Sequence, residues 1–149
     1  MQQYPLKILT ILLLASYLTA SSKVAEKGNT LNLTISNIRN DQGQILISLF
    51  NQAEGFPSDS TKAFRTFLLE AKVPAVNLVI ESLNPGEYAI AVVHDENRNL
   101  KPDFNLVGAP VEGYAASGAN KRFSAPKFAT SKFTVKNSMS LEIGMNYLF

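Results

Sequence analysis

Leu83-Asn84-Pro85-Gly86-Glu87-Tyr88-Ala89-Ile90-Ala91-Val92-Val93-His94 is the stretch that decides the fold. Asn84-Pro85-Gly86 reads as a turn, because Pro presets one backbone angle and Gly supplies the positive φ that tight turns demand. From Gly86 onward the chain is apolar on both parities. Tyr88, Ile90 and Val92 fall on one side of a strand and Ala89, Ala91 and Val93 on the other. Such a strand is expected in the middle of a sheet with both faces covered. His94, the only histidine, closes it on the Tyr88 side.

Outward from this strand the same period recurs. Leu31, Leu33 and Ile35 alternate with Asn32, Thr34 and Ser36, which predicts one buried and one wet face. Ile45, Ile47 and Leu49 resume the alternation after the turn signal Asn40-Asp41-Gln42-Gly43, with Leu46 and Phe50 weighting the second face. These two strands are expected to form a hairpin. Residues 51–60, with Gly55-Phe56-Pro57, read as loop, followed by a turn of helix near residues 61–64 and a strand from about Arg65. Val76, Leu78 and Ile80 mark the next strand, Phe133 and Val135 another, and residues 141–149 the last. Residues 95–127 carry neither period, and a connection of that length in a compact domain is usually functional. About seven short strands with no long helix give an all-β antiparallel sandwich with one long loop.

The N-terminus is set apart. Residues 1–7 carry one Lys, residues 8–15 are apolar apart from Thr10, and Thr19, Ala20, Ser21 and Ser22 close the segment. That is the layout of a secretory signal peptide over residues 1–22, with cleavage after Ala20 or, better, after Ser22; an uncleaved anchor is the alternative. Residues 23–29 then form a flexible mature N-terminus, and residues 30–149 a single domain. Removing 22 of 149 residues leaves about 127, enough for one core. The chain has no Cys, which excludes disulfides, thiolate metal sites and the lipid-modified export route. Without Lys7, 13 basic residues face 12 acidic ones. That balance gives no reason to expect nucleic acid or a polybasic membrane contact, and no stable membrane insertion is expected after processing. Export predicts a periplasmic or extracellular protein whose partner is an envelope protein or a small ligand.

The chemistry-bearing residues lie beyond His94. Asp95, Asn97 and Asn99 present oxygens on alternate residues, Lys101 offers a carbonyl, and Asp103 takes the ninth position of a calcium-loop skeleton. Calcium is the cofactor such a loop would hold. Leu100 stands where the sharp turn wants Gly, and Leu106 where a bidentate Glu is usual. The competing reading is a loop whose Asx side chains satisfy their own backbone. His94, Asn105, Glu112, Tyr114 and Ser117 are candidate ligand-binding residues around the same end of the domain. A hydrolase-like use of His94 would need Ser117 or Ser124 as nucleophile, and neither sits in a motif. No complete catalytic set is present, so the chain is read as a binding or structural module rather than an enzyme. Residues 108–118 read as a lip over a binding surface or a packed loop, with Arg122, Phe123, Pro126 and Phe128 anchoring its return.

Three resemblances bear on these readings. Leu83-x-Pro85-Gly86-x-Tyr88 resembles the strand entry of transthyretin-like (prealbumin-like) sandwiches, which implies a Tyr at a sandwich corner. Leu141, Ile143, Met145, Tyr147 and Phe149 alternate to the end and resemble the terminal strand of bacterial outer-membrane barrels, so an eight-stranded barrel is the rival architecture. The broadest resemblance spans roughly residues 30–148. Residues 36–43, Phe50-Asn51, Gly55-Phe56-Pro57, Leu83-x-Pro85-Gly86-x-Tyr88-Ala89, His94-Asp95-x-Asn97-x-Asn99-x-x-x-Asp103, Gly108-x-Pro110-x-Glu112-Gly113-Tyr114 and Ser117 follow one another as in the exported bacterial family catalogued as domain of unknown function 2141. That family has Gly where this chain has Leu100, which tells against the metal reading here. The resemblance implies export and an all-β domain, and brings no activity with it.

Overall fold

The computed structural model describes residues 28–118 and 125–148. The readings of residues 1–22 and 23–27, of Arg122, Phe123 and Ser124, and of Phe149 lie outside the described residues. The element order is β1 (Asn29–Ser36), β2 (Gln44–Phe50), a 3-10 turn (Ser60–Lys62), β3 (Arg65–Glu70), β4 (Val76–Leu83), β5 (Gly86–Asp95), β6 (Gly113–Ala116), α1 (Phe128–Ser131), β7 (Phe133–Val135) and β8 (Met139–Gly144). One sheet runs β4-β1-β8; the other runs β3-β2-β5-β6, with β7 pairing the start of β5.

The core lies between the two sheets. Leu31, Leu33 and Ile35 of β1 and Ile80 of β4 face Ile45, Ile47 and Leu49 of β2 and Ile90 and Val92 of β5, all essentially excluded from solvent. Removing that apolar surface from water is the main stabilising term of the fold. Between β4 and β5 the chain changes sheets across Asn84-Pro85, and the Tyr88 hydroxyl donates to the Asn84 carbonyl at 3.0 Å. This is the corner expected of the Tyr88 motif. The second face of the larger sheet is covered too: Phe50, Phe56 and Phe128 stack edge to face, with centroids 5.3 and 6.0 Å apart, and every residue of β2 is buried.

Four expectations are corrected. First, β1 and β2 do not form a hairpin: β1 pairs with β4 and β8, β2 with β3 and β5. After Ser36, Asn37 adopts a positive φ of 59° and its amide donates to the Met145 carbonyl at 2.6 Å, while the Ile38 amide donates to Pro74 O at 3.1 Å. Those bonds carry the chain across the sandwich, a route that a reversal signal alone does not distinguish from a hairpin. Second, residues 113–116 are an eighth strand rather than part of a lip, and the last strand ends at Gly144. Third, β8 joins β1 in parallel, so the sandwich is antiparallel only in the main. Fourth, the strands form two open sheets, which removes the eight-stranded barrel. Among the described residues, no helix is long and apolar enough to cross a membrane.

Candidate functional site

The polar residues past β5 build the end of the sandwich. His94 is fully buried, in register with Ile45 on one side and Gly113 on the other. Its Nε2 lies 2.7 Å from the Gln42 carbonyl, and its Nδ1 lies 2.9 Å from the Tyr147 hydroxyl. A carbonyl only accepts, so Nε2 carries the hydrogen and donates, and in the neutral ring Nδ1 accepts from Tyr147. Tyr147 reaches this position because position 113 is glycine: a Cβ there would stand 2.3 Å from the tyrosine ring. Arg39 stacks on the other side of that ring, 4.6 Å from its centroid, and forks onto Glu96 at 2.7 and 3.0 Å. The Arg39 hydrogen bond holds the Glu96 carboxyl below the usual carboxylate range against the opposing effect of its partial burial.

The loop after His94 is closed on itself. The Asp95 carboxylate, 0 % exposed, accepts from the Asn99 and Leu100 amides at 2.9 Å each and from Gln44 Nε2 at 2.8 Å. Asn97 and Asn99 each accept a backbone N–H two residues on, at 3.0 Å, and both turn their amide NH2 groups onto Asp103. Glu112 is buried and receives the Glu96 amide at 3.0 Å and the Asp103 amide at 3.2 Å. Burial pushes its carboxyl up, countered in part by those two N–H donors. Asn105 caps its own turn by accepting from Val107 and Ala109. The Lys101 amide donates to Asn99 Oδ1 at 3.0 Å. A cation at Asp103 would have to displace two amide NH2 groups whose orientation is fixed by the backbone bonds of the same side chains. Among the described residues, no group of three His, Asp or Glu side chains is arranged to hold a metal ion.

Ser117 is likewise committed: its hydroxyl donates to Ser131 O at 2.6 Å and receives the Ile90 amide at 2.8 Å. The structure therefore brings His94, Glu96 and Glu112 to one end of the sandwich, and sets Ser117 as a buried latch between β5 and the segment before β7. Of the candidate ligand-binding residues His94, Asn105, Glu112, Tyr114 and Ser117, it is Tyr114 that lines an open space, together with Gly108, Ala109 and Pro110 of the segment read as a lip.

That space is a pocket of about 500 Å³ on the outer face of the larger sheet. Its floor follows from the strand register. Ser48 and Ala91 sit opposite each other on β2 and β5, so two small outward side chains lie side by side in that floor. The next row is Leu46, Val93 and Tyr114, which makes a bank beside that trough. Pro102, Phe104, Val107 and Pro110 wall it from the long loop, and Pro57 and Pro126 from the two segments opposite. No charged side chain lines it among the described residues; Ser48, Ser58, Ser60 and Tyr114 supply the hydroxyls. The legible signal was the small pair Ser48 and Ala91 on strands with two apolar faces, which patterns for burial alone do not separate from a packed layer.

A model of the family described as "Uncharacterized protein conserved in bacteria (DUF2141)" matches residues 33–142. Neither the curated proteins nor the solved structures contain a match.

Proposed function

This chain belongs to the bacterial family of domain of unknown function 2141, and on that premise we propose that it is an exported, non-enzymatic binding module whose ligand is a small, uncharged, largely apolar molecule. The observation that carries the reading is the trough floored by Ser48 and Ala91 in the outer face of the larger sheet. Its volume of about 500 Å³ falls in the range of small-molecule sites. Among the described residues a charged ligand would meet no counter-charge there, and burying it uncompensated is costly. The hydroxyls of Ser58, Ser60 and Tyr114 can orient one or two polar groups on an otherwise apolar body. Binding rather than catalysis is supported by the engagement of His94 on both ring nitrogens and of Ser117 in structural bonds. Export is supported by the leader-like residues 1–22.

The test is titration with a neutral, environment-sensitive fluorophore, comparing the native chain with Ala91→Leu. The leucine fills the floor of the trough from a position that is nearly buried already. Saturable binding by the native chain, weakened about tenfold or more by the substitution, is the expected result. Equal binding by the two, with both folded, removes the pocket from the reading.

A further inference from the structure

We propose that Ser48 sets what the pocket selects: an otherwise apolar ligand carrying an uncharged acceptor oxygen (ketone, ester or alcohol), which the Ser48 hydroxyl meets at the floor. This selection rests on the pocket being the binding site and names the group that discriminates within it. β2 turns Ile45, Ile47 and Leu49 into the core, so by alternation Leu46, Ser48 and Phe50 stand on the outer face. Ser48 is 5 % exposed, with Leu46 and Phe50 on either side along the strand and Ala91 opposite on β5. Packing alone asks for no hydroxyl there, and a hydroxyl taken from water without a partner is a cost.

The Ser48 hydroxyl is uncommitted. Gln44, His94, Asp95, Glu112 and Ser117, all buried, bond other protein groups through their side chains. The backbone around Ser48 is engaged in ladders on both sides, with β3 and with β5. Among the described residues the Ser48 Oγ makes no hydrogen bond, and neither does that of Ser131, which does not line the pocket. No enclosed side-chain oxygen lacks a partner among the described residues, so the Ser48 Oγ opens onto the space it lines.

A ligand that fills the trough expels water from this hydroxyl. A ligand oxygen over Ser48 replaces the lost bond, whereas an apolar body without one leaves the hydroxyl unpaired; sites reject analogues lacking a polar atom in this way. Ser58 is exposed and Ser60 half-buried at the rim, where water can serve them whether or not the pocket is filled. The small Ala91 beside Ser48 leaves the oxygen room to descend, and the bank of Leu46 and Val93 carries the apolar body. A carboxylate would meet no cation in the lining among the described residues, so the acceptor is uncharged.

The experiment is displacement of the neutral fluorophore by 2-acetylnaphthalene and by 2-ethylnaphthalene, which share a ring system and differ in the oxygen, from the native chain and from Ser48→Ala. The quantity read is the ratio of the two affinities, ketone over hydrocarbon. Comparing that ratio between chains cancels the unequal aversion of the two compounds to water. It is expected to fall about five- to tenfold in Ser48→Ala. The melting temperature of Ser48→Ala is expected to be no lower than the native one, since no bond within the protein is lost. Binding of both compounds with a ratio unchanged by the substitution overturns the role of Ser48 and leaves the pocket as the binding site. No binding of the fluorophore or of either compound by the native chain removes the pocket, and this selection with it. A melting temperature lowered by about 5 °C or more in Ser48→Ala also overturns the assignment, because the hydroxyl would then serve the fold.

Discussion

Replacing Asp95 by asparagine tests how the end of the sandwich is held. The side chain keeps its shape but exchanges one acceptor oxygen for an NH2 donor. Two N–H groups, from Leu100 and Gln44, converge on Oδ2, and the Asn99 amide meets Oδ1. If the new NH2 takes the Oδ1 place, it faces the Asn99 N–H, which keeps Asn97 Oδ1 as its acceptor, and the NH2 itself is left without one. If it takes the Oδ2 place, Gln44 can turn its own amide over and accept, but the Leu100 amide is orphaned. Every arrangement leaves at least one donor unmet at a fully buried site, which costs about 1–3 kcal/mol. The surviving bonds also lose their charge assistance, about 1 kcal/mol more. The expected total is about 3 kcal/mol, or a melting temperature about 10 °C lower for a domain of this size. Urea denaturation followed by circular dichroism reads it, with Asp103→Asn as the comparison. Asp103 meets side-chain amides at the surface rather than buried backbone, so its substitution should cost under about 1 kcal/mol. An Asp95→Asn variant within about 0.5 kcal/mol of the native chain would refute the reasoning.

Other consequences are open to measurement. Adding millimolar calcium to chelator-treated protein should leave the melting temperature unchanged, since the Asn97 and Asn99 amides already face Asp103; a rise abolished by Asp103→Ala would make the loop a cation site through linkage. Glu96→Gln should destabilise the protein by about 1 kcal/mol near neutral pH. Because Arg39 lowers the folded-state titration of Glu96, that contribution is present above the unfolded value of about 4.3 and is lost as pH falls through the folded one. The gap between variant and native chain should therefore close in acid; a gap that widens there contradicts the assignment. Ser117→Ala leaves the Ile90 amide without its side-chain acceptor and Ser131 O without its donor. It should cost about 2 kcal/mol by denaturant titration while fluorophore binding in the pocket persists.

What the sequence revealed, and what it hid, follows from the range of the signals involved. The two-faced pattern of residues 86–94 located the central strand, because a strand covered on both sides must be apolar on both parities. Asp41 and Gly43 fall in a bend between β1 and β2, yet the strands around them pair with other partners. Local turn chemistry specifies a change of direction, whereas pairing is set by contacts distant in sequence such as Ile38 with Pro74. Residues 113–116 escaped notice because Gly-Tyr-Ala-Ala has little strand propensity of its own; pairing with β5 supplies what the residues lack. At the site, residues 95–105 carried two readings, a cation loop and a loop whose Asx side chains bond their own backbone, and the bonds made by Asn97, Asn99 and Asn105 are of the second kind. The position of the pocket was not legible, since it depends on Ser48 coming into register with Ala91 and Leu46 with Val93 and Tyr114 across separate strands.

The placement of β1 between β4 and β8 has a consequence for how the molecule comes into being. Its hydrogen-bonding neighbours begin at Val76 and at Met139, so nothing close in sequence can pair with it. The smaller sheet is complete only when the far end of the chain has arrived, and closing such distant loops precedes any gain from the contacts. A nascent chain therefore holds β1 as an unpaired apolar ribbon, with the larger sheet able to begin assembling first from β2 and β3. The same placement makes loss of residues 139–144 a failure to mature rather than a trimmed edge.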